Sequence, residues 1–254
     1  MTRATVVLVH GPCLGPWIWR DAVVPHLESL GLRCFVPDLH ETWPRPTWSG
    51  AVARVGIARY VERLHATLAD LTGPVILVGH SLGARVVEGL IERGHRDGAV
   101  LVSPTPPQGL EAEARALATR HPAALARALV ARRPRLLLGE PDRPDPARVR
   151  DWLLGPRASD ELVARVAASL RAEPFAACLD WLRPSPVPVP RDAGVPVLAL
   201  AGRDDPLVTP AALRRAAAAW NAVAHVLPHA GHCPMLGPSG ITLARHVERW
   251  LFDT

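Results

Sequence analysis

The sequence predicts an α/β fold, namely a doubly wound, mostly parallel sheet of about six strands with helices on both faces. Three observations support this prediction. Short apolar runs rich in β-branched residues alternate with segments whose apolar residues recur every three or four positions. One stretch, Pro74 to Gly89, combines such a run, a sharp turn and a helical pattern in immediate succession. The 254 residues, 48% of them hydrophobic, suffice for one large core.

The elements of the first half follow from these patterns. In chain order we predict a strand at 5–9, a helix at 17–30, a strand at 32–37, a loop rich in proline and tryptophan at 38–50, and a helix at 52–71. The helix at 52–71 is predicted from apolar residues that repeat at alternating spacings of four and three. The second half adds strands at 75–78, 99–103, 195–201 and 223–227, with helices around 213–220 and 244–251.

Between Pro104 and Gly194 the composition changes to proline, alanine and arginine, and helical fragments replace strands. We therefore predict a helical lid at residues 104–194, called the lid segment below, inserted into an α/β core of residues 1–103 and 195–254. The alternate prolines from Pro184 to Pro190 forbid helix and predict an extended return to the core. Segments grafted onto a rigid sheet usually carry specificity, so we expect the lid segment to select the substrate.

The turn Gly79-His80-Ser81-Leu82-Gly83 lies between the apolar strand and the amphipathic helix. A serine at such a turn is held in a strained conformation, with its hydroxyl beyond the strand end and beside the helix N-terminus. Gly79 and Gly83 leave room for the close approach of strand and helix. Ser81 is therefore the candidate nucleophile, and the alternative is a serine that caps an ordinary helix.

These residues resemble those of the α/β-hydrolases, specifically the small lidded esterases and the hydroxynitrile-lyase-like members. Three further blocks lie in the family's order: His10-Gly11-Pro12-Cys13-Leu14-Gly15 with Trp17 and Trp19, Gly202-Arg203-Asp204-Asp205-Pro206, and His229-Ala230-Gly231-His232. The resemblance implies an enzyme of the carboxylic ester hydrolase type with a triad in the chain order serine, aspartate, histidine.

The serine needs a base and an acid beside it. A neutral imidazole can remove the hydroxyl proton near pH 7, and the resemblance assigns this role to His232 rather than to its rival His229. A carboxylate must hold that imidazole in the correct tautomer. The resemblance favours Asp205, three residues after the glycine, although spacing leaves the neighbouring Asp204 as an alternative.

The oxyanion hole departs from the family pattern. One donor should be the backbone N–H of Leu82, directly after the nucleophile. The resemblance places the second donor at position 12, but Pro12 has no N–H. The loss of one such donor costs about 2.7–4 kcal/mol of transition-state stabilisation. We hypothesise that a shifted loop lets Cys13 donate; a side chain or water, or the absence of efficient acyl transfer, are the alternatives.

Four tryptophans lie in segments that could line a pocket: Trp43, Trp48, Trp152 and Trp181. They suggest an apolar or aromatic substrate group, unless they merely pack the lid onto the core. We expect hydrolysis of a small-molecule ester or, as a close second, a thioester. The alternatives are a lyase or cyclase on the same fold, and a small-molecule-binding protein with weak catalysis.

Composition excludes other classes. All 29 basic residues are arginine, so Schiff-base and P-loop lysine chemistry is excluded, and the net charge of +5 is spread without a basic face for nucleic acid. The four cysteines show no zinc or disulfide spacing, so we predict no metal and no cofactor. We find no signal peptide or membrane-spanning run and expect a cytoplasmic protein.

Overall fold

A six-stranded, wholly parallel sheet forms the centre of the computed structural model, as the sequence predicts. The structure describes residues 4–40, 54–95, 97–110, 113, 116, 119–184 and 194–253. The strands are β1 (Thr5–Val9), β2 (Arg33–Phe35), β3 (Val75–His80), β4 (Ala99–Val102), β5 (Val197–Gly202) and β6 (Val223–Leu227). Their order is β2-β1-β3-β4-β5-β6, so the strand order reverses at β1 and β3. Ligands of open α/β sheets bind at such a switch point, beyond the carboxyl ends of the strands.

Helices cover the sheet because each has one apolar face. Those outside the lid segment are α1 (Val23–Ser29), α2 (Ile57–Leu68), α3 (Leu82–Glu92), α8 (Pro210–Ala219) and α9 (Ser239–Asp253). Helix α1 packs against α9, and α2 packs against α3. Over the described residues, no helix is both long enough and apolar enough to cross a bilayer.

The lid segment leaves the sheet after β4 and returns at β5. Its described part contains α4 (Pro122–Ala131), α5 (Pro146–Val149), α6 (Asp160–Ser169) and α7 (Phe175–Leu182), with a 3₁₀ turn at Pro134–Leu138 and a π turn at Arg150–Leu154. Strands β4 and β5 are nevertheless hydrogen-bonded neighbours, with Ala99 opposite Val197. The described part of the segment contains helices and no strand of the sheet, whereas most of the predicted extended stretch, Pro184 to Pro190, lies outside the described residues.

Arg85 in α3 binds two points of the lid segment, one near its start and one at the end of α7. Its Nη2 donates to the carbonyl oxygens of Pro106, at 3.2 Å, and Arg183, at 3.1 Å. Its Nη1 donates to the carboxylate of Glu88, one helical turn along, at 3.2 Å. Both side chains of the pair are buried. One guanidinium therefore joins the start of the segment to the end of its last helix.

Two predicted helices are shorter than their periodicity indicates. The predicted helix at 17–30 is a 3₁₀ turn at Pro16–Trp19 followed by α1 from Val23. Pro25 is the reason, because a proline inside a helix lacks the N–H for the i to i−4 bond but is tolerated in the first turn. The predicted helix at 52–71 begins only at Ile57, after Gly56, whose ψ of 176° is extended.

Candidate active site

The turn after β3 places Ser81 in a conformation that few residues adopt. Its φ is 56° and its ψ is −115°, and its N–H donates to the carbonyl oxygen of Val102 at 2.8 Å. Helix α3 begins at the next residue, Leu82. Positive φ in a non-glycine residue is strained and is typical of functional turns. The backbone thus directs the Ser81 hydroxyl beyond the sheet and beside the helix N-terminus.

The two glycines of the turn have the steric role that the sequence predicts. A Cβ on Gly79 would lie 2.4 Å from the carbonyl oxygen of Gly83. A Cβ on Gly83 would lie 2.6 Å from the carbonyl oxygens of both Val9 and His10. All these neighbours are backbone atoms, which cannot move aside as the end of a flexible side chain could. Only glycine at both positions allows β3, α3 and the end of β1 to come this close.

Ser81, His232 and Asp205 form a hydrogen-bonded chain. The Ser81 Oγ lies 2.9 Å from His232 Nε2. His232 Nδ1 lies 2.9 Å from Oδ2 and 3.1 Å from Oδ1 of Asp205. The N–H groups of Leu207 and Val208 each donate to Asp205 Oδ1 at 2.8 Å and fix the carboxylate. All three side chains are almost fully buried.

The rival residues lie elsewhere. Asp204 is partly exposed, and its carboxylate makes no hydrogen bond to His232, although its N–H donates to the carbonyl of Ala230 at 2.9 Å. His229 is exposed just after β6, in a left-handed conformation with φ of 59°. The structure therefore brings Asp205 and His232, not their neighbours, to Ser81.

Two further residues hold the backbone of His232. The His80 Nε2–H donates to the His232 carbonyl at 2.9 Å, and the Ser103 hydroxyl donates to the same oxygen at 3.1 Å. Gly11 packs on the other side of the His80 ring, where a Cβ would lie 2.6 Å from Nδ1. Neither contact was predicted from the sequence. Both residues position the loop that carries the imidazole.

Buried His80 makes the stability of the fold sensitive to acid. Burial, with the neighbouring His232, holds the pKa of His80 well below its ordinary value of 6.5. The unfolded chain therefore binds a proton as the pH falls through about 6.5, the folded protein does not, and acid favours unfolding. We expect His80 to lower the free energy of unfolding by about 1.4 kcal/mol between about pH 7.5 and about pH 5.5. Urea unfolding at both pH values measures this effect: between them the free energy of unfolding of His80→Gln should fall by about 1.4 kcal/mol less than that of the wild type. Equal losses in the two proteins would refute the assignment.

The oxyanion-hole prediction is wrong at Cys13. The Cys13 N–H donates to Oε2 of Glu173 at 3.0 Å and is not free for an oxyanion. The physical reason is that a buried carboxylate from the lid segment accepts this donor. Pro12 has no N–H, so Leu82 is the remaining member of the three predicted positions. As the first residue of α3, Leu82 has an N–H with no partner inside the helix.

Glu173 is the centre of a buried polar cluster. Its Oε2 also lies 2.9 Å from His40 Nε2, and its Oε1 accepts the Tyr60 hydroxyl at 2.7 Å. Burial alone would raise the pKa of Glu173, but His40, Tyr60 and the Cys13 N–H together hold that pKa below its ordinary value. Sequence reasoning missed this residue, because nothing in its neighbourhood distinguishes it from the other acids of the lid segment.

A cavity of about 120 Å³ lies beside His232. The lid segment contributes most of its apolar wall, including Leu125, Leu137, Leu138, Trp152, Trp181 and Leu182. None of the described residues that line it carries a carboxylate or a guanidinium. Burial raises the pKa values of the lining thiols Cys13 and Cys178, so both stay protonated at neutral pH. The cavity therefore suits an apolar group.

The predicted tryptophans divide into two pairs. Trp152 and Trp181 line the cavity, and the Trp181 ring centroid lies 6.1 Å from that of His232. The positions of Trp43 and Trp48 fall within 41–53, outside the described residues.

One group of side chains resembles a metal ligand set that sequence reasoning did not anticipate. Ligand atoms of His10, Asp38 and His40 lie within 4.8 Å of one another. However, His10 Nε2 accepts the Leu39 N–H at 3.1 Å, and Arg171 Nη1 donates to Asp38 Oδ2 at 2.6 Å. An amide donor and a cation thus already occupy atoms that a metal would need.

The model of the alpha/beta hydrolase family matches residues 6–242, nearly the whole chain. The chain belongs to the alpha/beta hydrolase family. The expectation of an α/β-hydrolase enzyme, drawn from four short motif blocks, is thereby confirmed at the level of the family.

Individual relatives of this alpha/beta hydrolase match less of the chain. A pyrethroid hydrolase of Sphingobium wenxiniae is 37% identical over 92 residues, which are 36% of this chain and 32% of the relative. Methylesterase 3 of Arabidopsis thaliana is 40% identical over 81 residues, 31% of this chain and 30% of the relative. The chain thus matches about a third of the length of these relatives. The crystal structure of a Bacillus anthracis bromoperoxidase superimposes with a TM-score of 0.75 at 18% identity, covering 99% of this chain and 93% of that one.

Proposed function

We propose that the protein is a serine hydrolase that cleaves a small-molecule ester, with a thioester as the close alternative. The observation that carries this proposal is the buried chain of hydrogen bonds from Ser81 through His232 to Asp205, with both critical distances at 2.9 Å. Nucleophile, base and carboxylate in this geometry are the parts that acyl transfer requires. The names of the two partial relatives, a hydrolase and a methylesterase, support the same reaction.

The proposed reaction has two steps. His232 Nε2 takes the Ser81 proton while Oγ attacks the ester carbonyl, and the same proton then passes to the departing alcohol. Water attacks the acyl-enzyme with His232 again as base, which releases the acid and restores Ser81. Asp205 holds the imidazole with Nδ1 protonated and stabilises the imidazolium. No cofactor is needed for either step.

The oxyanion of the proposed reaction has one assigned backbone donor. The Leu82 N–H is the donor we assign, and positions 12 and 13 supply no second one. Because the loss of one donor lowers kcat by about 10²–10³, we expect modest turnover unless substrate or water completes the hole. The missing second donor also supports a second candidate function, a lyase or cyclase in which His232 mainly transfers a proton.

The substrate class follows from the cavity. Its wall is apolar and contains Trp152 and Trp181, so we propose an ester whose acyl or alcohol part is apolar or aromatic. A carboxylate on that group would be buried without a cation among the described lining residues, which is costly.

Intact mass after incubation with a fluorophosphonate tests the proposed nucleophile. We expect one adduct on the wild type and none on Ser81→Ala or His232→Ala, because the probe needs an activated serine. Ser169→Ala and His229→Ala are matched controls, outside the triad, and should label like the wild type. A panel of aromatic and short aliphatic esters, each with a carboxylate-bearing analogue, then tests the substrate class.

Three results would count against the proposal. An adduct on Ser81→Ala would place the nucleophile elsewhere. If a folded wild type forms no adduct, the lyase or cyclase, or a binding protein with weak catalysis, becomes the better explanation. Equal kcat/KM for neutral and charged esters would contradict the apolar substrate class.

A further inference from the structure

We infer that Glu173 is a positioning residue, which holds the loop His10–Gly15 in the shape that the acyl-transfer site needs. The loop is called the oxyanion loop here. The inference rests on the proposed function and adds to it a residue of the lid segment that belongs neither to the triad nor to the cavity lining.

The oxyanion loop contains a strained residue. Cys13 has a φ of 60°, a left-handed conformation that favours glycine over side chains with a Cβ. Both polar groups of its backbone are bonded to the lid segment. Its N–H donates to Glu173 at 3.0 Å, and its carbonyl accepts the N–H of Arg171 at 2.8 Å. Strained conformations persist only where the surroundings fix them, and these two bonds do so.

Glu173 is itself held from three directions. Besides Cys13, its carboxylate contacts His40 at 2.9 Å and Tyr60 at 2.7 Å, so donors from three separate parts of the chain converge on it. The side chain is only 1% exposed. A carboxylate with both oxygens bonded inside the protein has a fixed position, and it transmits that position to Cys13.

The oxyanion loop in turn shapes the reaction site. Pro12, Cys13 and Leu14 form part of the wall of the cavity, which His80 of the nucleophile turn also lines. At its start, the His10 carbonyl lies against Gly83 of α3, where a Cβ would be only 2.6 Å away. A substrate carbonyl attacked by Ser81 must fit between this wall and His232. A displacement of about 1 Å in such a wall can cost up to about 100-fold in rate.

The test compares Glu173→Ala and Glu173→Gln on the ester that the panel identifies as best. We expect Glu173→Ala to lower kcat at least tenfold while KM changes less than threefold, because the loop loses its acceptor but the apolar binding wall stays. Glu173→Gln should recover kcat to within threefold of the wild type, since its amide oxygen still accepts the Cys13 N–H. Glu161→Ala, an exposed acid of α6, is the matched control and should leave both constants unchanged.

Amide hydrogen exchange of the oxyanion loop provides a readout that needs no turnover. We expect faster exchange in Glu173→Ala than in the wild type, and protection close to the wild type in Glu173→Gln. If Glu173→Ala does not fold, Glu173→Gln is compared with Tyr60→Phe, which removes one support of the carboxylate and should lower kcat two- to fivefold.

The outcomes separate the two ideas. The positioning role alone is overturned if the wild type is active but Glu173→Ala has the same kcat and the same exchange of the oxyanion loop. If the alanine variant does not fold, the same result in Tyr60→Phe overturns it. Loss of kcat in Glu173→Gln equal to that in Glu173→Ala also overturns it, because acceptance of the Cys13 N–H would then be irrelevant. A folded wild type that neither labels nor hydrolyses any ester defeats the proposed function, and the positioning role with it.

Discussion

Asp205→Asn is expected to lower the kcat of ester hydrolysis by about 10⁴. The asparagine oxygen can still accept the N–H groups of Leu207 and Val208, so the loop keeps its shape. Its amide group then faces His232 Nδ1, and an N–H there requires Nδ1 to become the acceptor. The imidazole proton moves to Nε2, which can no longer take the proton of Ser81. Steady-state kinetics on the preferred ester measures the loss.

The neighbouring residue provides the control. Asp204→Asn makes the same chemical change one position earlier, on a carboxylate with no hydrogen bond to His232. We expect its kcat to stay within twofold of the wild type. A large loss in Asp204→Asn together with an active Asp205→Asn would show that the geometry of the acid is misassigned.

Arg85→Met is expected to lower the free energy of unfolding by about 3 kcal/mol. The change removes the donor that serves the carbonyls of Pro106 and Arg183 and leaves the carboxylate of Glu88 buried without its cation. Burial already raises the pKa of Glu88 to about 6 even though Arg85 opposes that shift. Without Arg85 the carboxylate must become protonated or remain charged at high cost. Urea unfolding at neutral pH, monitored by tryptophan fluorescence, measures the change.

A second arginine–glutamate pair with the same i, i+3 spacing is the matched control for Arg85. Arg59 and Glu62 are both about half exposed, so Arg59→Met should cost less than about 0.5 kcal/mol. The double variant Arg85→Met/Glu88→Leu should be more stable than Arg85→Met, because it removes the isolated buried carboxylate. A loss below about 1 kcal/mol in Arg85→Met would contradict the role of this guanidinium in fastening the lid segment.

The strands could be predicted well because their signal is local. Each is a short apolar run between turn residues, and the parallel order follows from their alternation with helices. The starts of two helices were predicted less well: α1 begins only two residues before Pro25, and α2 begins only after the extended Gly56, although both were predicted to start earlier. Periodicity reports which face is buried, and it does not report where hydrogen bonding stops.

The residues of the site also differ in whether a local sequence pattern marks them. Ser81 and His232 could be proposed because each lies in a short motif whose chemistry is recognisable. The choice between Asp204 and Asp205 needed the structure, in which two backbone N–H groups fix one carboxylate against the imidazole. Glu173 could not be found in the sequence, because it meets Cys13 across 160 positions and no local pattern marks that contact. The same contact overturned the prediction for Cys13.

The attachment of the lid segment has a consequence for how such a protein diversifies. The carbonyls of Pro106, near its start, and of Arg183, at the end of α7, are bonded to the same nitrogen of Arg85, and the strands that it separates, β4 and β5, are already paired. Pro106 and Arg183 therefore lie close together. The part of the segment between them can be exchanged as a unit: recombination can replace it with one of another length and pocket shape while the sheet and Ser81 stay in place. Its contacts with the core must then be rebuilt, among them those with the oxyanion loop and the bond from the Cys233 N–H to the Leu153 carbonyl.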